Sequence, residues 1–176
     1  MNAMLNMPDF FNSYKDAIEH ELQQVISDSA EFPYSMLRYH MGWQDIQGYY
    51  NSHRSSKFIR PIICLLSYQA TGHLYSQILP AAAALELIHN FSLIHDDVED
   101  ASAERHNRPS LWQQWGQPQA INAGDAMFAL AYIALLKLRQ SKVTDGKILE
   151  AAQMLSKACL DLCEGQALDI AYENRL

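Results

Sequence analysis

Apolar residues recur along this chain at intervals of three and four, the period of an α-helix, and no segment alternates convincingly as a half-buried strand would. Tyr14–Ser27 carries Ala17, Ile18, Leu22, Val25 and Ile26 on one stripe, which predicts an amphipathic helix. The break at Glu31-Phe32-Pro33 separates it from a shorter helix, Tyr34–Met41, and the polar stretch Gly48–Ser56 reads as a loop. Arg60–Thr71 follows as a buried helix ended by Gly72, and Pro80 suits the first turn of a helix that runs to about Asp100. Ser102–Pro118 is polar, holds Pro109 and Gly116, and predicts a loop containing a short turn. Two more helices, Gln119–Gln140 and Lys147–Tyr172, flank the turn Thr144-Asp145-Gly146. Ala81–Leu93 and Ala126–Leu138 are apolar on several faces, so other helices must surround them. An all-α bundle follows, and residues 1–176 form a single domain without repeats or linkers.

Composition narrows the function classes. A chain of 176 residues can bury a core. A formal charge of −7 argues against a nucleic-acid partner, because phosphate backbones demand basic surfaces. No apolar run is long enough to cross a bilayer uninterrupted, and Met1–Phe11 lacks the basic and apolar regions of a signal peptide. Cys64, Cys159 and Cys163 lie in apolar helical surroundings and are expected to be buried and structural. A reduced, soluble, cytoplasmic protein is the expectation.

The chemistry concentrates at Ile94-His95-Asp96-Asp97-Val98-Glu99-Asp100. A step of about 100° per residue puts Asp96 and Asp100 one turn apart on one helix face, with Asp97 beside them. Carboxylates so close repel one another unless a cation intervenes, and Mg²⁺ commonly takes one or two carboxylates together with waters and substrate phosphates. His89, two turns upstream of Asp96, shares that face. Lys57 and Arg60 sit three apart at the start of another helix, Arg105 and His106 follow the aspartates within one loop, and Gln166 and Asp169 form an i, i+3 pair. An acidic metal-binding face combined with Lys, Arg and His donors is what two diphosphates in one cavity require.

With these residues the chain resembles the trans-type isoprenyl diphosphate synthases, or polyprenyl synthetases, over about Ala17 to Tyr172. Asp96-Asp97-Val98-Glu99-Asp100 is similar to the first aspartate-rich motif, and Glu86–His95 to the helix before it. Ser55-Ser56-Lys57-Phe58-Ile59-Arg60-Pro61 resembles the family's glycine-glycine-lysine-x-x-arginine-proline motif, and Ala120–Ala126 and Gly165–Asp169 match two further signatures. The resemblance implies an isoprenoid-synthase bundle of antiparallel helices around a central cavity. It implies that Asp96, Asp97 and Asp100 hold Mg²⁺ on an allylic diphosphate, which Arg105 also contacts. Lys57, Arg60 and His89 would bind isopentenyl diphosphate, and Gln166 and Asp169 would line the cavity opposite the metals. The implied reaction is a prenyl transfer: the allylic substrate ionises, the isopentenyl double bond attacks, and a proton leaves. Phe91, five residues before Asp96, would act as a floor that limits the product to farnesyl or geranylgeranyl length. The equivalent helices in the family form a homodimer, which suits the apolar faces of Gln119–Gln140 and Lys147–Tyr172.

The sequence departs from the family pattern at four places. Ser55 and Ser56 replace two glycines, Phe58 stands where a basic residue is frequent, and His106-Asn107 replace an arginine and a glycine. The chain also ends at Leu176, before the second aspartate-rich motif, so the C-terminal helices of the bundle are expected to be missing. Two other functions compete. One is a non-catalytic, truncated synthase-like binding or regulatory subunit. The other is an HD-type metal phosphohydrolase, in which His95-Asp96 would join His53 or His73; that leaves Lys57, Arg60, Gln166 and Asp169 without a role. His95 itself is expected to be structural, and Asp125 an acid near a helix N-terminus or outside the ligand set.

Overall fold

The computed structural model describes residues 9–27, 31–50 and 56–173. Helices α1 (Asp9–Val25), α2 (Tyr34–His40), α3 (Ile59–Ala70) and α4 (Leu79–Glu99) precede a small hairpin, β1 (Glu104–Arg105) and β2 (Arg108–Pro109). Helices α5 (Leu111–Trp115), α6 (Gln117–Leu136) and α7 (Asp145–Glu173) complete the chain, with short 3₁₀ turns at Tyr75–Gln77 and Lys137–Ser141. The all-α expectation holds, and the helices fall close to the positions that periodicity predicts. The expected loop after Asp100 is more ordered than anticipated: it contains the hairpin and α5.

Helix α4 is the spine. Pro80 lies in its first turn, where a missing N–H costs nothing, and burial then extends over more than one face through Ala82, Ala83, Ala84, Leu87, Phe91 and Ile94. On one side α1 adds Ile18 and Leu22 and α3 adds Ile62 and Leu65. On the other lies α6, whose contact with α4 is more extensive than that of any other pair of elements. That seam is built from small residues, Ala120, Ala123, Gly124, Ala131 and Ala134, which allow the two backbones a close approach.

Gly124 marks the tightest point. A Cβ there would fall 2.2 Å from Cδ2 of His95. The imidazole lies edge-on to Phe91 with ring centroids 4.8 Å apart, and its Nε2 is buried 3.5 Å from Asp125 on α6. His95 is therefore a packing residue, as expected, while Asp125 sits in the middle of α6 rather than near its start.

Two expectations are corrected here. Cys163 is exposed and Cys64 only half-buried, so Cys159 alone of the three is a buried thiol. From Gln117 to Ser141 the chain is also helical, long and apolar enough to cross a membrane by length and composition. Four of the alanines that raise its hydropathy, Ala120, Ala123, Ala131 and Ala134, are buried in the core.

Gly124→Ala is expected to destabilise the fold by about 1–3 kcal/mol through overpacking. The thermal midpoint should fall by several degrees, and adding His95→Ala should recover part of the loss. An unchanged midpoint in Gly124→Ala would show that the seam is not tight.

Candidate active site

Four of the predicted donors meet in one pocket. A cavity of about 380 Å³ is lined by Lys57, Arg60 and His89, and by His106 from the hairpin turn. Phe58 explains how the first two are presented. Its φ of 48° puts a non-glycine residue in the left-handed region, and its ring is buried in the core. Turning Phe58 inward leaves Lys57 and Arg60 on the surface to either side of it. Among the described residues neither cation has a hydrogen bond or ion pair, so both are available to an anion.

The electrostatics agree. Burial lowers the His89 imidazole below its ordinary range, and Arg60, Arg105 and His106 push it further down. His106 is lowered first by burial and then by Arg105 and Arg108, with Asp97 opposing. Burial, and then the guanidinium groups of Arg60, Arg105 and Arg108, thus lower the basicity of two neighbouring imidazoles, and an incoming anion would offset the arginines.

Behind these donors lies a buried polar layer. Glu86 and Asn90, one turn apart on α4, are both buried, and the Asn90 amide donates to the Glu86 carbonyl at 2.8 Å and to Oε1 at 3.3 Å. The Ser56 hydroxyl donates to the same Oε1 at 3.1 Å. Burial raises the Glu86 carboxyl, while Ser56, Asn90 and Arg60 pull it back. His40 of α2 is buried against this layer and pushed down to about 3, chiefly by burial and then by His106 and Arg105. Of these four, the sequence marks only Ser56, as a departure from the family's glycine. The available signal was a polar pair, Glu86 and Asn90, at i, i+4 inside an otherwise apolar helix.

The aspartates occupy the last turn of α4. Burial raises the Asp96 carboxyl, and its neighbours Glu99 and Asp100 raise it further by like-charge repulsion. Neither Asp96 nor Asp100 has a side-chain hydrogen bond among the described residues. This crowded, unneutralised pair suits a hard divalent cation that completes its shell with water and phosphate oxygens. No cage of three or more His, Cys, Asp or Glu is preformed among the described residues.

Asp97 behaves differently from the expectation that grouped it with the metal ligands. It is 2% exposed, and its Oδ1 accepts from Arg105 Nε at 3.0 Å and Nη2 at 2.5 Å, while Oδ2 is buried without a partner. The step of 100° per residue turns Asp97 inward whenever Asp96 faces the solvent side. Arg105, expected on the allylic diphosphate, is held by this carboxylate.

The hairpin fixes Arg105. His106 and Asn107 both have positive φ, 54° and 59°, as a two-residue type I′ turn requires. Across the turn, Arg105 pairs in register with Arg108. Arg108 donates to the Tyr39 carbonyl at 2.7 Å and lies over the Tyr39 ring at 4.6 Å. The two arginines anchor the hairpin to α4 and to α2.

The remaining predicted residues lie elsewhere. Phe91 is buried between α4 and α6 against Phe128, with ring centroids 5.2 Å apart, and Phe128 continues to Tyr132. Gln166 is half-buried and Asp169 exposed on α7, and neither lines the basic pocket. Ser55 and His53 fall outside the described residues. His73 stacks on Tyr68 at 5.0 Å, and His95 packs on Phe91, so the His-Asp cluster of a phosphohydrolase is not assembled among the described residues.

A helical bundle with a basic pocket and a carboxylate cluster on one central helix is the architecture of the isoprenoid synthases. The solved polyprenyl synthetase from Streptomyces coelicolor A3(2) superposes with a TM-score of 0.83 at 37% identity, over 92% of this chain and 46% of that one. Geranylgeranyl pyrophosphate synthetase from Pyrococcus horikoshii Ot3 gives 0.79 at 29% identity, over 94% and 47%. In sequence, the short chain isoprenyl diphosphate synthase of Methanocaldococcus jannaschii is 43% identical over 67% of this chain and 35% of its own. The (2E,6E)-farnesyl diphosphate synthase of Mycobacterium tuberculosis is 39% identical over 80% of this chain and 38% of its own. The polyprenyl synthetase family model matches residues 44–176, and the chain belongs to that family. It spans between about a third and a half of the length of the curated relatives it matches.

His40 gives this site a pH signature. Its folded-state value of about 3 lies below the ordinary value of 6.5, so its contribution to stability is complete above about pH 6.5 and is lost as pH falls toward 3. Glu86 and Asp96, with raised values, act in the opposite sense. His40→Gln should therefore show a flatter fall of thermal midpoint between pH 7 and 4 than the parent, measured by calorimetry. Parallel curves would exclude His40 as the acid-sensitive group.

Proposed function

We propose that this chain carries the substrate-binding part of a Mg²⁺-dependent prenyltransferase, which condenses isopentenyl diphosphate with an allylic diphosphate to a short-chain polyprenyl diphosphate. The observation that carries this is the convergence of Lys57, Arg60, His89 and His106 on one pocket, with His89 two turns of α4 before Asp96 and about three before Asp100. Lys57 and Arg60 bind the isopentenyl diphosphate, and His89 orients it by donating from its neutral ring. Asp96 and Asp100 would hold Mg²⁺; Asp97 positions Arg105 for the allylic diphosphate. When bound, the metal supplies stabilisation of the charge that grows on the departing diphosphate. The allylic carbon–oxygen bond breaks, a carbon–carbon bond forms to the isopentenyl double bond, and a proton is lost. Exclusion of water by apolar walls protects the cationic carbon.

Relatives named farnesyl and geranylgeranyl diphosphate synthase support the short product length. The rings of Phe91, Phe128 and Tyr132, in succession along the α4–α6 seam, would form the floor that stops the chain. Gln166 and Asp169 would face the metals from α7. Exposed Ile121, Ile133 and Leu136 on α6, with Leu149 and Met154 on α7, support a homodimer built on these helices.

Product formation from isopentenyl and allylic diphosphates should require Mg²⁺. Asp96→Asn with Asp100→Asn should lower it by about 10²–10³-fold, the scale of metal charge stabilisation. Activity that survives chelation, or that both substitutions leave intact, would overturn the assignment. Size-exclusion chromatography with light scattering should give twice the chain mass; a monomer at high concentration would count against the dimer.

A further inference from the structure

The segment that presents Lys57 and Arg60 is not held by its own backbone alone. Two hydrogen bonds meet at Ser56, which also lines the pocket. Its hydroxyl donates to Glu86 Oε1 at 3.1 Å, it accepts the Phe58 backbone N–H at 3.4 Å, and the residue lines the same cavity as Lys57, Arg60, His89 and His106. Glu86 cannot drift, because Asn90 donates to the same oxygen and both residues are buried on the rigid middle of α4. Ser56 stands where the resembling family carries a glycine, a residue with no side chain to make such a bond.

We propose that Ser56 is a positioning residue for the diphosphate pocket. Its hydrogen bond to the buried Glu86 carboxylate holds the Lys57–Arg60 segment at the reach its two cations need. Two physical consequences follow. Residues 56–60 are then held in place before an anion arrives, so more of the ion-pairing energy appears as affinity. The buried carboxylate, in turn, gains a donor that is not a cation, and Arg60 stays free for the ligand instead of collapsing onto Glu86. Ser56 touches neither reacting atom; it acts through Lys57 and Arg60.

This rests on the assignment of the pocket to a diphosphate, and the test separates the two. Binding of inorganic diphosphate to the full chain is measured by titration calorimetry in EDTA, which silences any metal-mediated site at the aspartates. Ser56→Ala should weaken binding about tenfold, the scale of one hydrogen bond to a charged acceptor. Ser56→Thr, which keeps the hydroxyl, should restore most of it. Glu86→Ala alone should match Ser56→Ala, and the double variant should lose little more, because both remove the same bond. Equal affinity in Ser56→Ala and the parent, with binding abolished in Lys57→Ala/Arg60→Ala, would overturn the tether and leave the pocket standing. No diphosphate binding by the parent, or binding indifferent to Lys57 and Arg60, would overturn both. Additive losses from Ser56→Ala and Glu86→Ala would also reject the tether, and would show two separate supports. In the active enzyme the same substitution should raise KM for isopentenyl diphosphate while leaving kcat within about twofold, a split that a general loss of stability would not produce.

Discussion

The buried Asp97 carboxylate is the constraint on which the rest of the site depends. A charge taken out of water costs several kcal/mol unless it is paired and hydrogen-bonded, and here Arg105 supplies both donors while Oδ2 has none. The pair forces Arg105 to lie against the end of α4, which forces the chain to reverse immediately afterwards. The positive-φ turn at His106-Asn107 follows from that reversal, and Arg108, facing Arg105 across it, is delivered to Tyr39. One carboxylate thereby couples α4, the hairpin and α2, and places His106 at the rim of the basic pocket.

Helix α4 contributes a second kind of order. Glu86, His89, Asn90, Asp96, Asp97 and Asp100 all belong to one stretch, so their spacing is fixed by helix geometry and not by loop conformation. At a rise of about 1.5 Å per residue, His89 and Asp96 lie roughly 10 Å apart along the axis. A basic site and an acidic site on one rod keep two anionic ligands near each other while their charges are neutralised by different chemistry. The close seam with α6 at Gly124 holds that rod against its neighbour.

The helices and the acidic face were legible in the sequence because both rest on periodicity, which local spacing records. Lys57, Arg60 and His89 were legible as a set only through their register with a family pattern; nothing in their spacing shows that α3 and α4 meet. The inward turn of Asp97 is readable in principle from the 100° step, since two adjacent aspartates cannot both face the same side. The type I′ hairpin was not, because His at its first position carries no strong turn preference and the strands are two residues long. Ser56 is visible in the sequence as a departure from the family's glycine, but how Ser56, Glu86, Asn90 and His40 act together is not, because a buried polar residue is recognisable only when its burial is known.

The lowered basicity of His89 and His106 has a consequence for ligand capture. Both imidazoles are held below their ordinary range by burial and by the neighbouring arginines. A diphosphate seated among them offsets those arginines, so each ring becomes easier to protonate once the ligand is in place. A bound anion therefore shifts both rings toward their charged form. The basic character of the pocket thus grows with the negative charge of what it holds.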